Sequence, residues 1–558
     1  MKLKNRILAL VLSVVCVMPL AACGERGSGS DLNRPTDNTK TQLNVFTFGD
    51  GEFATRWLKK ARDRFEAEYA GTDFEPGKKG VQINIDPQKL SGTDLQIRIP
   101  SSNDDIFFGE RMFYNDYVKA GLCLDITDIV TEQKLPGEEK TIADKMTESQ
   151  QKFFTVDGKI YGVPHYSGGM GIAYNVDFFD DNALYFKKDW KDTPEDPFTS
   201  RTASDVSEGP DGKPGTYDDG LPVTYEEFYV LCDYIADNIT SAKPLLWNGV
   251  VYDEYLTDLM FFMYADYEGA DQFDLSYTMD GTLKHAVKSI SDGNVELEKP
   301  FEIEPTTNGY EVYKQAGKYY ATEFMSTIIQ NSDWYDKTCF SRNYSHLEAQ
   351  KNFLLTEEYG GYTDYAMLID GNWWESECDA TITNMVQKYG DKASKYTRNF
   401  GWMPLPRPDY ITHKEQKYTM CDDMLSFAFI KSTIDPSKIP AAKTFLQFVN
   451  TDISLIEYTE TTNTPKALLY EIPDKSKLSN YGRSFMTLRE NSNIVFAYNG
   501  ADIYRNNAAS FGIYTWQTQV DGTVYKNPIE PLRNGASVKD VFDGIVKNGE
   551  TLWNNMIK

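Results

Sequence analysis

The sequence predicts an α/β protein, and three observations predict it. Between residues 43 and 108, short alternating or wholly apolar runs are separated by an amphipathic stretch, the strand–helix–strand order of a parallel sheet. A second set of such elements begins at residue 161. The chain has 558 residues, 41% apolar and 25% charged, which is ordinary globular composition at a length suited to more than one domain.

The elements follow in order. Lys2, Lys4 and Arg6 precede an apolar run over residues 7–20, then Ala21, Ala22 and Cys23. A basic start, a short apolar run and small residues make residues 1–22 a secretory signal, and the run is short for a membrane span. Leu20-Ala21-Ala22-Cys23 resembles the lipobox of bacterial lipoproteins, which implies that Cys23 is acylated and becomes the first residue of the mature chain. The alternative is a plain secretory signal that leaves Cys23 a free thiol. Residues 23–42, rich in Gly, Ser, Asn, Thr and charge, read as a flexible tether.

Leu43, Val45 and the residues to Phe48 alternate as a strand, closed by Gly49-Asp50-Gly51. Ala54, Trp57, Leu58, Ala61 and Phe65 recur at helical spacing. Val81, Ile83 and Ile85 form a second strand, and Asp105-Ile106-Phe107-Phe108 a buried third. Ligands of parallel sheets settle beyond the strands' carboxyl ends, which marks the loops 49–52 and 109–114. Further on, residues 171–175 read as a strand, and Thr224 to Glu227 as a capping box that opens a helix. Residues 365–369 are another apolar strand, ending at Asp370-Gly371-Asn372-Trp373-Trp374. Gly401 to Pro408 reads as a linker, Pro440 starts a helix, and Ser537 caps the last one.

Charge narrows the partners. With 57 Lys+Arg against 83 Asp+Glu the net charge is −26, a field that repels nucleic-acid phosphates and anionic lipid. No nucleic-acid partner is therefore expected, and a polyanionic substrate is disfavoured. Once Cys16 is removed and Cys23 acylated, the cysteines left are Cys123, Cys232, Cys339, Cys378 and Cys421. They are sparse, odd in number and lack Cys-x-x-Cys, so they form neither a disulfide framework nor a zinc site.

The acidic insertion 181–221 carries Asp205, Ser207, Asp211, Asp218 and Asp219 on a glycine-rich loop. Short oxygen side chains at such spacing can wrap a hard cation, and a structural calcium ion is the favoured reading. The loop resembles calcium loops of secreted bacterial proteins but not an EF-hand; the alternative is a solvated acidic loop. No catalytic cofactor is expected.

Taken together, the chain resembles the sugar-binding branch of the extracellular solute-binding proteins of ABC transporters. The resemblance rests on residues 105–106 with 117–127, on Tyr161-Gly162-Val163-Pro164 through Tyr174-Asn175, on Asp370-Gly371-Asn372-Trp373, on residues 401–406, on the helix 440–449, and on Asn534-Gly535-Ala536-Ser537. Residues 101–104 and the large insertion depart from the family's pattern. The resemblance implies two α/β lobes: 43–165 with 402–468, and 166–401 with 469–558. It further implies an extracellular oligosaccharide clamped at the hinge, delivery to permease subunits of an ABC importer, a monomer held to the outer face of the cell membrane by its lipid, and no enzymatic activity.

Binding candidates come from the strand ends and crossovers. Trp373 or Trp374 can stack on a sugar ring; being adjacent they point in different directions, so one binds and one packs. Trp247 is a second platform, with core packing the alternative for each. His165 and Tyr166, at the first crossover, can bond hydroxyls or serve the hinge. Asp50 and Glu52 offer acceptors, with a solvated turn the alternative, and Arg111 a planar donor, with a surface ion pair the favoured alternative. Two other readings remain open: a peptide receptor of the same fold, and a secreted glycoside hydrolase, which needs only two suitably spaced carboxylates. Against the hydrolase, no Gly-x-Ser-x-Gly or His-Glu-x-x-His occurs and the four histidines are scattered.

Overall fold

The structure, a computed structural model, describes residues 34–49, 51–110, 112–250, 254–408, 416–422, 426–496 and 516–557. Two sheets define two lobes. In lobe 1 the strand Thr41–Thr47 lies between Val81–Pro87 and Ile106–Gly109, all parallel, in the register Val45 to Ile85 and Val45 to Ile106. Phe427–Ile430 adds antiparallel to Ile106–Gly109, and Val163–Pro164 closes the sheet beside it. Every residue of Ile106–Gly109 is buried, as a central strand covered on both faces requires. The amphipathic helix runs Trp57–Glu68 and buries Trp57, Leu58, Ala61 and Phe65. A π-turn, Glu52–Arg56, precedes it.

Lobe 2 is built on the order Ala242–Leu246, Asp364–Gly371, Met170–Asn175, Phe400–Met403. The first two are parallel, and Met170–Asn175 runs antiparallel to both of its neighbours. Trp402 and Met403, expected to begin the return into lobe 1, pair instead with Ala173 and Ile172, so the return lies after residue 403. Likewise Leu469 still belongs to lobe 1, its N–H donating to the Lys145 carbonyl at 2.7 Å. Lobe 2 resumes with the helix Asn480–Glu490, packed on Phe400–Met403 through Trp402 and Phe485, 5.4 Å apart.

Three crossovers join the lobes and are bonded to one another. The His165 N–H donates to Ser426 O at 3.1 Å, Ser167 N–H to Pro465 O at 3.0 Å, and Ala467 N–H to His165 O at 3.2 Å. Arg489 adds two bonds to the Asp422 carboxylate, at 2.6 and 2.9 Å, and the same carboxylate accepts from the Ser167 hydroxyl. This pair is almost wholly buried, and a buried charge pair with further donors fixes one geometry of the backbone around it.

The insertion folds onto lobe 2, its strands Tyr185–Phe186 and Phe198–Thr199 paired and Trp190 donating to Glu227 at 3.0 Å. The helix Glu254–Thr278, kinked at Gly269 where φ is 71°, runs through lobe 2. All five cysteines from Cys123 onward are buried and free. No helix among the described residues is long and apolar enough to cross a membrane.

The candidate ligand cleft

The strands place the cleft. In lobe 1 the parallel strands end at Thr47, Pro87, Gly109 and Pro164; in lobe 2 the ends at Leu246, Gly371 and Met403 lie beside Met170. Pro164 and Met170 flank the first crossover, so both sets of ends face the same gap between the lobes.

At the lobe 2 edge the segment after Gly371 is pinned to the hinge by Asn372. Its side chain accepts from Gly169 N–H at 3.1 Å and donates to Ser167 O at 2.9 Å, and its carbonyl accepts from the Tyr481 hydroxyl at 2.8 Å. Trp373 then enters a short helix, Trp374–Glu377, in helical conformation, and folds its indole back over Gly371. A Cβ at Gly371 would come within 2.2 Å of that ring, so only glycine fits beneath it. Trp373 is half-buried, its ring edge-on to Tyr255 at 6.3 Å. Trp374 points the other way: its exposure is 0%, with Phe353, Phe400 and Tyr481 at 5.3–5.5 Å. Trp247 is a core residue too, 1% exposed against Tyr335 and Phe340, and presents no platform.

His165 is also turned inward. Its exposure is 0%, with Trp57, Phe108, Tyr166, Tyr458 and Phe48 between 5.0 and 6.5 Å. Neither ring nitrogen has a hydrogen-bond partner among the described residues. Burial, aided by the charge of Lys466, holds its pKa well below the ordinary imidazole value. Lys466 lies in the same box, its Nζ 4.7 Å above the Trp57 ring, and burial pushes its pKa down to about 7. A side chain so enclosed does not bond ligand hydroxyls, and His165 is corrected to a packed hinge residue. Tyr166 is 5% exposed and its hydroxyl donates to Glu110 at 3.3 Å.

Asp50, Arg111 and Cys23 lie outside the described residues, as does the side chain of Glu52. Tyr255 stands against the Trp373 ring, and beyond it come three more side chains not singled out from sequence, His346, Glu377 and Gln350. The Tyr255 and His346 rings are 6.3 Å apart, and His346 Nε2 lies 4.0 Å from the Glu377 carboxylate. Across the gap Arg56 of lobe 1 meets Asp379 of lobe 2 at 2.5 Å. Glu377 had a signal in the sequence, four residues after Trp373. Tyr255 and His346 arrive from distant segments and had none.

In the insertion, Asp205 accepts from the Thr199 hydroxyl at 3.2 Å, while Ser207 is held by its backbone to Phe186. Asp211 accepts from Lys213 N–H, Asp218 from Asp211 N–H, and Asp219 from Gly215 and Thr216 N–H. The Thr216 hydroxyl stands within 3.3 Å of all three carboxylates. Burial, opposed by the bond from Thr216 and reinforced by Asp211, raises the Asp218 pKa to about 6. Among the described residues no group of three or more His, Cys, Asp or Glu side chains is placed to hold a metal ion. The five residues expected around calcium bond their own loop, and as they stand they form no cation cage.

Residues 59–203 match the family described as bacterial extracellular solute-binding protein. Over that segment the chain is similar to this family. Its solved structural neighbours share the two-lobed α/β fold. A chitin oligosaccharide binding protein superposes with a TM-score of 0.52 at 16% identity, covering 92% of this chain and 99% of its own. The cyclic alpha-maltosyl-1,6-maltose binding protein from Arthrobacter globiformis gives 0.52 at 13% identity, covering 92% and 100%. The solute-binding protein RafE in complex with raffinose gives 0.51 at 12%, covering 93% and 100%. At such identities the likeness concerns the fold. No curated protein matches the sequence.

Proposed function

We propose that this solute-binding protein is the lipid-anchored receptor of an ABC importer, which captures an extracellular carbohydrate, an oligosaccharide, by hinge closure and delivers it to the permease. The observation that carries the reading is the half-buried indole of Trp373 at a cleft-facing strand end, beside three crossovers tied into one hinge. A sugar offers flat C–H faces and a rim of hydroxyls, and a planar aromatic ring next to carboxylate, amide and phenol groups meets both. Ligand touching both lobes favours the closed state by bridging them. The named neighbours, whose titles give a chitin oligosaccharide, a cyclic maltosyl-maltose and raffinose, support a carbohydrate cargo. The anchor is the acyl group on Cys23, and the receptor works as a monomer.

The test is calorimetric titration of the chain from Gly24 onward with an oligosaccharide panel, followed by recovery of the sugar. Saturable binding with the sugar intact is expected. Cleavage of the sugar would make the protein a hydrolase, and silence across the panel would move the cargo to peptides. Cys23→Ala is expected to release the protein from membranes; acyl label persisting on that variant would refute the anchor.

A further inference from the structure

We propose that Arg56 and Asp379 are a positioning pair that latches the two lobes together at one edge of the cleft, and that they set how tightly cargo is held through closure rather than by contact with it. This rests on the hinge-closure part of the reading above and not on the identity of the cargo.

The lobes meet along a seam that starts at the third crossover. Thr462 ends the lobe 1 helix Asp452–Thr462, shortly before Pro465, whose carbonyl takes the Ser167 N–H. The Thr462 carbonyl accepts from the hydroxyl of Ser376, in the lobe 2 helix Trp374–Glu377, and both residues are buried. That short helix lies against the lobe 1 turn Glu52–Arg56. Further along lobe 2, at the first residue of the helix Asp379–Tyr389, the Asp379 carboxylate accepts from both terminal nitrogens of Arg56, at 2.5 and 3.4 Å. Exposure rises along the seam: Ser376 is 4% exposed, whereas the Arg56 and Asp379 side chains keep 47% and 22%. The ion pair therefore lies at the solvent side of the seam, where parting lobes would separate first.

Local electrostatics treat the two residues differently. Asp379 sits in the first turn of its helix, where the dipole favours a negative charge. Arg56 is the N-cap of the helix Trp57–Glu68, whose first turn holds no acid, and the same dipole disfavours a cation there. Its own helix thus gives no reason for a guanidinium at residue 56. The carboxylate across the gap gives one, and a two-pronged contact suits a guanidinium better than an ammonium. An exposed pair of this kind moves an equilibrium only several-fold and is screened by salt. Cargo reads that shift directly, because the apparent affinity of a ligand that binds the closed state scales with the population of that state.

In the experiment the full chain in detergent carries Ile97→Cys on lobe 1 and Leu347→Cys on lobe 2, both at exposed positions, for spin labels and a pulsed dipolar distance measurement without cargo. Cys23 is acylated on the reading above and the cysteines from Cys123 onward are buried, which leaves the introduced pair to take the labels. Arg56→Gln and Asp379→Asn are each expected to raise the population with parted lobes about 2- to 5-fold, the range an exposed ion pair supplies. Salt at about 1 M should do the same to wild type and add little to either variant. Exchanging the charges, Arg56→Asp with Asp379→Arg, should bring the lobes back together. Titration with chitotriose, maltotriose and raffinose should show the same factor lost from the affinity of whichever binds, and regained on the exchange. A distance distribution that neither variant nor salt moves would overturn the latch; a bound sugar that still draws the labels together would then leave hinge closure standing. Failure of every sugar to bind would count against the carbohydrate reading alone, since the distances are read without cargo.

Discussion

Around His165 in lobe 1, five aromatic rings enclose a side chain with no exposure, and beside Trp373 in lobe 2 one ring, Tyr255, stands against an indole that is only half-buried. Both clusters sit at the hinge end of their lobes and both are rich in π-faces. They differ in polar chemistry. The lobe 1 box holds two basic groups, His165 and Lys466, with no acid paired to them among the described residues, and burial drives both towards neutrality. The lobe 2 patch holds carboxylates, Asp370 and Glu377, that share the Gln350 amide, and Glu377 keeps a path to solvent. Aromatic content alone therefore does not tell an enclosed hinge box from an open patch; exposure of the ring does.

The sharpest test of that contrast uses two neighbours in sequence. Trp374→Ala removes a fully buried indole packed on three rings and should cost about 3–5 kcal/mol of stability. Denaturant unfolding reads it, and the protein that remains folded should bind ligand normally. Trp373→Ala should do the reverse, losing about 10- to 100-fold in affinity as a truncated central contact does, with little change in melting temperature. Equal loss of stability with unaltered affinity in both variants would break the comparison.

Much of the fold is legible in the amino-acid sequence. The strands 41–47, 81–87 and 106–109 have alternating or continuous apolar runs because one or both of their faces are covered, and the caps at Thr224 and Ser537 are written in side chains that bond the backbone locally. The helix Glu254–Thr278 is not legible: packed on several sides within lobe 2, it carries no polar stripe and so no 3.6-residue period. Crossover boundaries fail for a related reason. Prolines 404, 406 and 408 read as a linker from residue 401, yet Phe400–Met403 is a strand whose partner lies more than 220 residues away in sequence, and pairing at that range leaves no local mark. The site divides in the same manner. Trp373 is visible as an aromatic at a strand end, whereas the enclosure of His165 depends on Tyr458 from the helix Asp452–Thr462 and on Lys466 at the third crossover.

The lobe 1 box makes its own prediction, smaller than those of the tryptophans. The folded-state pKa of Lys466 is lowered to about 7 from an unfolded value near 10.5, so between those limits the unfolded chain binds more protons. Stability then rises with pH through this group, and its burial is most costly at and below pH 7. Lys466→Met, which keeps the apolar length and removes the ammonium, should stabilise the protein at pH 7 by about 1 kcal/mol or more. That advantage should narrow as pH approaches 10, as paired urea midpoints at pH 7 and 9.5 would read. A constant difference across that range would mean that Lys466 is not the titrating group.

The smallest effect is expected at the insertion. Asp219 already accepts two backbone N–H groups, and Asp211 and Asp218 one each, with the Thr216 hydroxyl among them. Six or more oxygens are needed at 2.3–2.6 Å, which would require the loop to be rebuilt around the ion. Chelator should therefore leave the melting temperature of the calcium-equilibrated protein within about 1 °C, less than the shift that 1 kcal/mol produces in a domain of this size. Asp218, protonated with a pKa near 6, should instead make the loop more stable as pH falls from 7 towards 4, because the folded state then binds the proton more tightly than the unfolded chain. Asp218→Asn should abolish that acid gain. A melting temperature that drops on chelation and returns with calcium would show that the loop reorganises around a metal.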